Sequence, residues 1–328
     1  MSRRGALLFG AMCLIWGIPY LLIKVAVRDF SPGTLVFFRT GIGAALLLPI
    51  AAFRRELHPV FARWRPLVAY TAVELAVPWL LLSKAEQRLP SSLTALLVAA
   101  VPMVGALLAW IVHAREPLGV RGYAGLLIGL AGVAALVGFD VSGASGGSVA
   151  MVAIVVVCYA TGPLILARTL ADLPPLGVVA ASLTLCSLGY APFGLTHLPT
   201  APPARVLASV VVLGVVCTAL AFILFFYLIA EIGPVRATVI TYVNPAVAVV
   251  LGVAFLGESF GFGTALGFVL ILLGSFLATR PARHLATRPA GRPATTPARR
   301  PATGPARRGA RQPTPPRDTP QPAQIAEP

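Results

Sequence analysis

The stretch "VNPAVAVVLGVAFLGE" (243–258) places a proline at the head of an apolar run that ends on an acid, and "VPMVGALLAWIVHARE" (101–116) has the same outline. Pro102 and Pro245 lie 143 positions apart, and Glu116 and Glu258 lie 142 apart. Gly125 and Gly132 continue the match onto Gly267 and Gly274 at the offset of 142. Toward the N-terminus "KAEQRLP" (84–90) parallels "IAEIGP" (229–234), Pro32 faces Pro175 at 143, and Pro19 and Lys24 face Pro163 and Arg168 at 144. An offset this constant marks an internal repeat, here a unit of about five apolar spans covering residues 1–139 and 140–279. A unit with an odd number of spans re-enters the membrane upside down in its second copy. Inverted repeats of this kind belong to secondary transporters that work by alternating access.

Composition sets the same frame. Hydrophobic residues make up 57% of the 328 residues and charged residues 11%, with mean hydropathy +0.86. A soluble domain carries about 25% charged residues, so this chain cannot cover a soluble surface, and soluble globular classes are excluded. Its charges cluster and leave runs near the roughly 20 apolar residues that cross a bilayer. The expected fold is an all-α polytopic membrane protein, since lipid obliges spans of this length to bond their backbone internally. Ten spans are predicted: 5–27, 33–53, 66–85, 91–112, 119–139, 148–168, 175–197, 206–230, 234–256 and 261–279. The N-terminus has the charged start of a signal peptide, but its apolar run is too long and lacks a small-x-small site, so it reads as the first span. Cys13, Cys158, Cys186 and Cys217 lie in apolar runs without metal-ligand spacing and read as buried thiols.

The formal charge of +15 is located mainly behind the last span. Residues 280–328 hold ten arginines against Asp318 and Glu327, which puts +8 on the tail and leaves +7 on the membrane part. This Pro/Ala/Arg-rich tail cannot offset its chain entropy by burial and is expected to be disordered. It reads either as an adhesive for anionic lipid or as an unselected low-complexity extension; nucleic acid is not expected as a partner. With the N-terminus inside, ten basic residues outside the tail fall on the cytoplasmic side and six on the other. The positive-inside rule then predicts a multi-pass plasma-membrane protein with both termini cytoplasmic.

The residues "WGIPYLLIK" (16–24), "FFRTG" (37–41), "LLLSKAEQRLPSSLTALLVAAVP" (80–102) and "ARE" (114–116), with "AEIGPVRATVITYVNPAVAVVLGVAFLGE" (230–258) and "GFVLILLGS" (267–275), carry a resemblance. Over everything but the tail, the chain resembles the EamA-like members of the drug/metabolite transporter superfamily. That resemblance implies a ten-helix bundle with a central site, moving amino acids, related metabolites or drugs, frequently outward. It implies no particular substrate. The sixth span departs from the pattern, with "YATGP" where the first span has "WGIP".

Ionisable groups deep in a bilayer are costly and face the bundle interior or a water-filled cavity. Glu74 stands in the middle of the third span with no charge for eight residues on either side. It reads as a proton-titrating group or a ligand for a substrate amine, or else as a structural hydrogen-bonding group or counter-ion for Arg39. Arg39 suits a bidentate grip on a carboxylate or snorkels to the interface, as Lys24 is expected to do. Pro19, Pro102, Pro163 and Pro245 are each expected to kink or break a helix and so to mark gating positions. Asn244, the one asparagine in the chain, can cap a half-helix or reach the substrate beside Tyr242, or bond its own backbone. Trp16, Tyr20 and Tyr159, with Trp79 and Trp110, can line a pocket or simply pack. Glu116 and Glu258 read as helix-end caps or gate charges. Gly125-x3-Gly129 and Gly263-x3-Gly267 permit close helix approach, expected within the bundle, so that monomer and homodimer both remain open.

No cofactor, metal site or enzymatic activity is expected. "GASGG" (143–147) matches G-x-S-x-G without its strand-turn-helix context, His58, His113, His197 and His284 are scattered, and no P-loop occurs. The expected function is a secondary transporter of a small metabolite, by efflux, with a proton as the coupling ion to test. The alternative is a transport-inactive membrane scaffold or sensor that acts through the basic tail. Deleting 280–328 separates the two.

Overall fold

The computed structural model describes residues 2–112, 120–140, 146–233, 237 and 239–279, all within the unit formed by residues 1–282. The expectations for Glu116 and for the tail fall outside the described residues. Among the described residues every regular element is a helix. In chain order these are α1 (Arg3–Gly17), α2 (Pro19–Ala26), α3 (Pro32–Phe53), α4 (Leu57–Ala62), α5 (Trp64–Thr71), the π-helical turn π1 (Ala72–Ala76), α6 (Val77–Glu86), α7 (Ser91–Val98), α8 (Val101–Val112), α9 (Val120–Asp140) and α10 (Gly146–Thr169). There follow α11 (Pro175–Thr196), α12 (Ala204–Gly214), the second π-helical turn π2 (Val215–Leu220), α13 (Ala221–Ile232), α14 (Ile240–Leu256) and α15 (Phe262–Thr279).

Among the described residues seven stretches are long and apolar enough to cross a membrane: Arg3–Ala26, Pro32–Phe53, Trp64–Glu86, Ser91–Leu108, Gly146–Thr169, Pro175–Thr196 and Ala204–Ile232. Val120–Leu136, Ile240–Leu256 and Phe262–Ala278 are shorter apolar helices. The chain is thus a multi-pass, all-helical membrane protein. Helix starts follow local chemistry. Ser2 Oγ accepts the Gly5 N–H at 2.9 Å to begin α1, and Ser31 Oγ accepts that of Thr34 at 3.2 Å to begin α3. Pro32 and Pro175 stand in the first turns of α3 and α11, where no helical donor is needed.

Of the four prolines expected to kink or break a helix, two stand at an interruption and two stand in helices that run on without one. Pro19 opens α2 directly behind the end of α1, and Pro102 is the second residue of α8, beyond a turn at Ala99 and Ala100. Pro163 lies inside a continuous α10, and Pro245 is the sixth residue of a continuous α14. In the second half the chain has already turned at Val239, five residues ahead of where the proline points. Inside a packed bundle the loss of one donor is tolerated without a break.

Packing joins distant parts of the chain. The longest helix contacts pair α9 with α15 and α3 with α11. The α9–α15 contact is a glycine seam: a Cβ built on Gly274 would fall 2.4 Å from the Gly129 nitrogen and 2.7 Å from the Gly125 carbonyl oxygen. The close approach that the sequence expected of these glycines is made within the chain.

Candidate functional site

A π turn inserts one extra residue into a helix, loosens its carbonyls, and is frequent at functional sites. Here π1 and π2 each interrupt a long apolar helix, and their first residues, Ala72 and Val215, are 143 positions apart. Thr218 Oγ1 in π2 donates to the Leu213 carbonyl five residues back at 2.8 Å, and the Tyr190 hydroxyl from α11 donates to the Ala76 carbonyl of π1 at 2.9 Å. Loosened backbone is thereby satisfied by side chains.

Arg39 from α3 spans the interval between these turns. Its Nε donates to Thr218 Oγ1 at 3.1 Å, and its guanidinium carbon lies 3.7 Å from the centroid of the Trp79 ring, three residues beyond π1. It is 8% exposed, with Trp79 at 6% and Thr218 at 0%. Tyr20 and Tyr159 stand within its electrostatic reach. Among the described residues Arg39 makes no ion pair with a carboxylate, and Glu86 is an acid within its electrostatic reach. Snorkelling is excluded by that burial.

Glu74 lies in π1 and turns toward α10 rather than toward Arg39. A Cβ at Gly162 would meet its Oε2 and fall 3.0 Å from its Cδ, so a side chain there would push the end of the carboxylate aside. Oε2 is buried without a hydrogen-bond partner, and Glu74 does not serve as the counter-ion of Arg39. Tyr159 stands within the field of both groups, which makes α10 the element between them.

The remaining candidates disperse. With its amide oriented to satisfy both acceptors, Asn244 donates to the Ile240 carbonyl at 3.0 Å and to the Cys13 carbonyl on α1 at 3.2 Å. Through its nitrogen it therefore stitches α14 to α1. Tyr242 is half-buried one turn into α14. Trp16 packs on Phe225 at 4.7 Å and edge-on to Phe222 at 6.2 Å. Pro19 and Pro245 are buried, Pro102 half-buried, and Pro163 exposed on the outside of α10.

Each end of the bundle carries its own polar contacts. At one end the left-handed Gly257 (φ 64°) swings Glu258 back onto the N-terminus of α7. There its carboxylate accepts from the Ser91 N–H (2.6 Å), the Ser92 N–H (2.9 Å) and the Ser92 hydroxyl (2.5 Å). Beside it Lys24 Nζ donates to the carbonyls of Glu86 (2.6 Å) and Leu89 (2.8 Å), capping the C-terminus of α6 instead of reaching freely for solvent. Lys24, Arg28, Arg88, Pro90, Leu256 and Glu258 line a cavity of about 190 Å³ at this end. At the other end Arg63 grips Asp172 with two bonds of 2.6 and 2.7 Å, and Glu56 accepts the Gly177 N–H at 3.1 Å. The Arg63 hydrogen bonds hold the Asp172 carboxyl below the usual carboxylate range. Sequence reasoning missed Glu86, Thr218 and both π turns.

Comparisons with known proteins identify the family and the fold. The family model for the EamA-like transporter family matches twice, over residues 3–138 and 147–280. The chain is 29% identical over 297 residues to the uncharacterized inner membrane transporter YedA of Escherichia coli (strain K12), covering 82% of this chain and 92% of that protein. It is 28% identical over 249 residues to a probable terminal-alkyne amino-acid exporter of Streptantibioticus cattleyicolor, covering 74% of this chain and 82% of that one. A crystal structure with TM-score 0.60 and 21% identity covers 85% of this chain and 97% of its own, and shares the fold. A buried cation between two loosened helices in a multi-pass membrane protein, and a family model matched over nearly all residues before the tail, lead to one conclusion: the chain belongs to the EamA-like transporter family and is a membrane transporter.

Proposed function

We propose that the protein exports a small carboxylate-bearing metabolite, an amino acid or a near relative, across the plasma membrane by alternating access, coupled to protons. The observation that carries this reading is Arg39, a buried guanidinium held between π2 and Trp79 that makes no ion pair with a carboxylate among the described residues. Burying a charge is costly unless it is paired. A substrate carboxylate supplies that partner and matches the planar fork of the guanidinium. Trp79, Tyr20 and Tyr159 offer the apolar walls, and Glu74 offers either a ligand for the substrate amine or a proton acceptor. The name of the Streptantibioticus relative supports an amino acid as the cargo class.

Ten spans in two inverted repeats, 1–139 and 140–279, are the proposed architecture. It is supported by the double match of the family model, by the π turns 143 positions apart, and by the pairing of α3 with α11 and of α9 with α15. The distribution of Lys and Arg supports cytoplasmic termini, so that Lys24, Glu86 and Glu258 stand at the outer end and Arg63 and Asp172 at the inner end. Counterflow in proteoliposomes, preloaded with single amino acids and run with and without a pH gradient, tests the proposal. Arg39→Ala should abolish counterflow in protein that still folds, while removal of residues 280–328 leaves it intact. Unchanged counterflow in Arg39→Ala overturns the assignment.

A further inference from the structure

The outer end holds a second buried acid that the transport mechanism above does not use. Glu86 closes α6, is 0% exposed, and both of its carboxylate oxygens lack a hydrogen-bond partner. The neighbouring cation gives the carboxylate no hydrogen bond, because Lys24 Nζ is directed to the backbone carbonyls of Glu86 and Leu89. Glu258 adds a like charge and is itself held by three donors at Ser91 and Ser92. The charged and titratable groups that face Glu86 are Tyr20 and Lys24 from α2, Arg39 from α3 and Glu258 from the turn behind α14. Tyr159 from α10, packed on the same helix, reaches Tyr20 and Arg39, and α7 presents only serine, threonine and apolar side chains.

An ionised carboxylate in this position forfeits its solvation and gains no donor in return, whereas the neutral acid keeps its proton and needs far less. Opening the outer end reverses those conditions. Release of Glu258 from α7 and of Lys24 from α6 lets water reach Glu86 and frees an ammonium to stand as its counter-ion. We propose that Glu86 is a proton-binding site tied to closure of the outer end: it holds a proton when that end is closed. On opening, the carboxyl O–H bond breaks and the proton passes to outside water, leaving a carboxylate beside Lys24. Its use as a coupling site rests on the transporter reading; its existence does not.

The closed form then binds one proton more than the open form, so acid favours closure. The ratio of open to closed molecules changes by up to about tenfold per pH unit within the titration range. Infrared spectroscopy of the full chain in lipid, without substrate, tests the protonation directly. The parent protein and Glu74→Gln should show the C=O stretch of a protonated carboxylic acid that Glu86→Gln lacks. The second readout is labelling of Ala85→Cys, a fully buried position of the cluster that joins α6 and α7 to α14. Cys13, Cys158, Cys186 and Cys217 are replaced by alanine, and the rate with a membrane-impermeant maleimide is divided by that of an exposed cysteine at Leu198. The normalised rate should rise with pH by up to about tenfold per unit and become flat in Glu86→Gln. A parent protein without the band, or a Glu86→Gln variant that keeps the band or the pH slope, overturns the proposal. Should Glu86→Gln fail to fold, Glu86→Asp must shift the midpoint of the band, and an unshifted midpoint overturns it equally. Neither readout needs a substrate, so failure of counterflow and failure of this site register separately.

Discussion

Glu258 is the residue whose removal most directly tests how the end of the bundle that holds Lys24 and Glu86, the proposed outer end, is kept closed. Pro90, ahead of α7, has no side chain to cap that helix, and the carboxylate of Glu258 does the capping from the other half of the chain. Glu258→Ala removes two bonds to backbone N–H groups and one to a hydroxyl at once. Loss of a helix cap costs about 1 kcal/mol, and an anion at a partly buried helix N-terminus contributes up to about 2 kcal/mol more. The closed form should therefore lose about 2–3 kcal/mol relative to the open one, a factor of roughly 30–150. Glu258→Gln keeps an oxygen for one N–H and should lose about half of this free energy. The assay is maleimide labelling of the buried Ala85→Cys at one fixed pH, where the thiol chemistry is the same in every variant. When the closed form dominates, labelling scales with the open fraction, and the whole factor appears in the rate. Labelling in Glu258→Ala within about threefold of the parent, in protein that melts normally, would refute the reasoning, since that is well under 1 kcal/mol.

Four further outcomes are expected. Arg39→Lys keeps the charge but loses the planar fork on Trp79 and Thr218, and should weaken substrate affinity in counterflow at least about tenfold. Gly274→Ala places a Cβ against backbone atoms of α9 that cannot swing aside; the seam should be destabilised by about 1–3 kcal/mol, read as a lower melting temperature. Gly162→Ala crowds only the end of the Glu74 side chain, so stability should change little while the pH dependence of counterflow moves toward that of Glu74→Gln. Asp172 is held below its ordinary range by Arg63, so its contribution is present above the ordinary carboxylate pKa and lost as pH falls through the depressed value. The difference in melting temperature between the parent and Asp172→Asn should accordingly shrink and vanish on acidification below about pH 4.

The helical plan was legible because it is periodic and written twice. Apolar runs bounded by charges place the spans, and the offset of Pro102 from Pro245 aligns the halves. Positions fixed by local chemistry followed, such as the breaks at Pro19 and Pro102. Pro163 and Pro245 misled because a proline removes one donor wherever it stands, whereas a break requires the surroundings to leave that loss uncompensated. Asn244 misled in a related way. Its isolation in an apolar stretch suggested a ligand, yet a lone amide among helices is satisfied by carbonyls, here those of Ile240 and Cys13. Glu86 stands between Lys84 and Arg88 in the sequence, which gives no sign of burial; the packing of α2, α3, α7 and α10 on its helix buries it. The π turns had no mark at all, because the extra residue in Ala72–Ala76 or Val215–Leu220 is of no special type.

Site chemistry resides where the two copies differ, which is why the repeat could reveal the scaffold and not the ligands. At the offset of 143, Glu74 in π1 corresponds to Cys217 in π2, and Leu75 corresponds to Thr218. Arg39 corresponds to Ser182, whose buried hydroxyl has no partner. The scaffold supplies two equivalent loosened turns; one received an acid, the other a hydroxyl, and the cation that joins them comes from one half only. In the alternating access proposed here the two halves exchange conformations, and their unequal side chains give the proposed site a polarity. An exchange of the two positions, Glu74→Cys with Cys217→Glu, should carry the carboxylate to the π2 side of Arg39, beside Thr218. Should counterflow survive that exchange with its pH dependence unchanged, the placement of the acid on the π1 side would have no functional meaning, and Glu74 would be a structural residue.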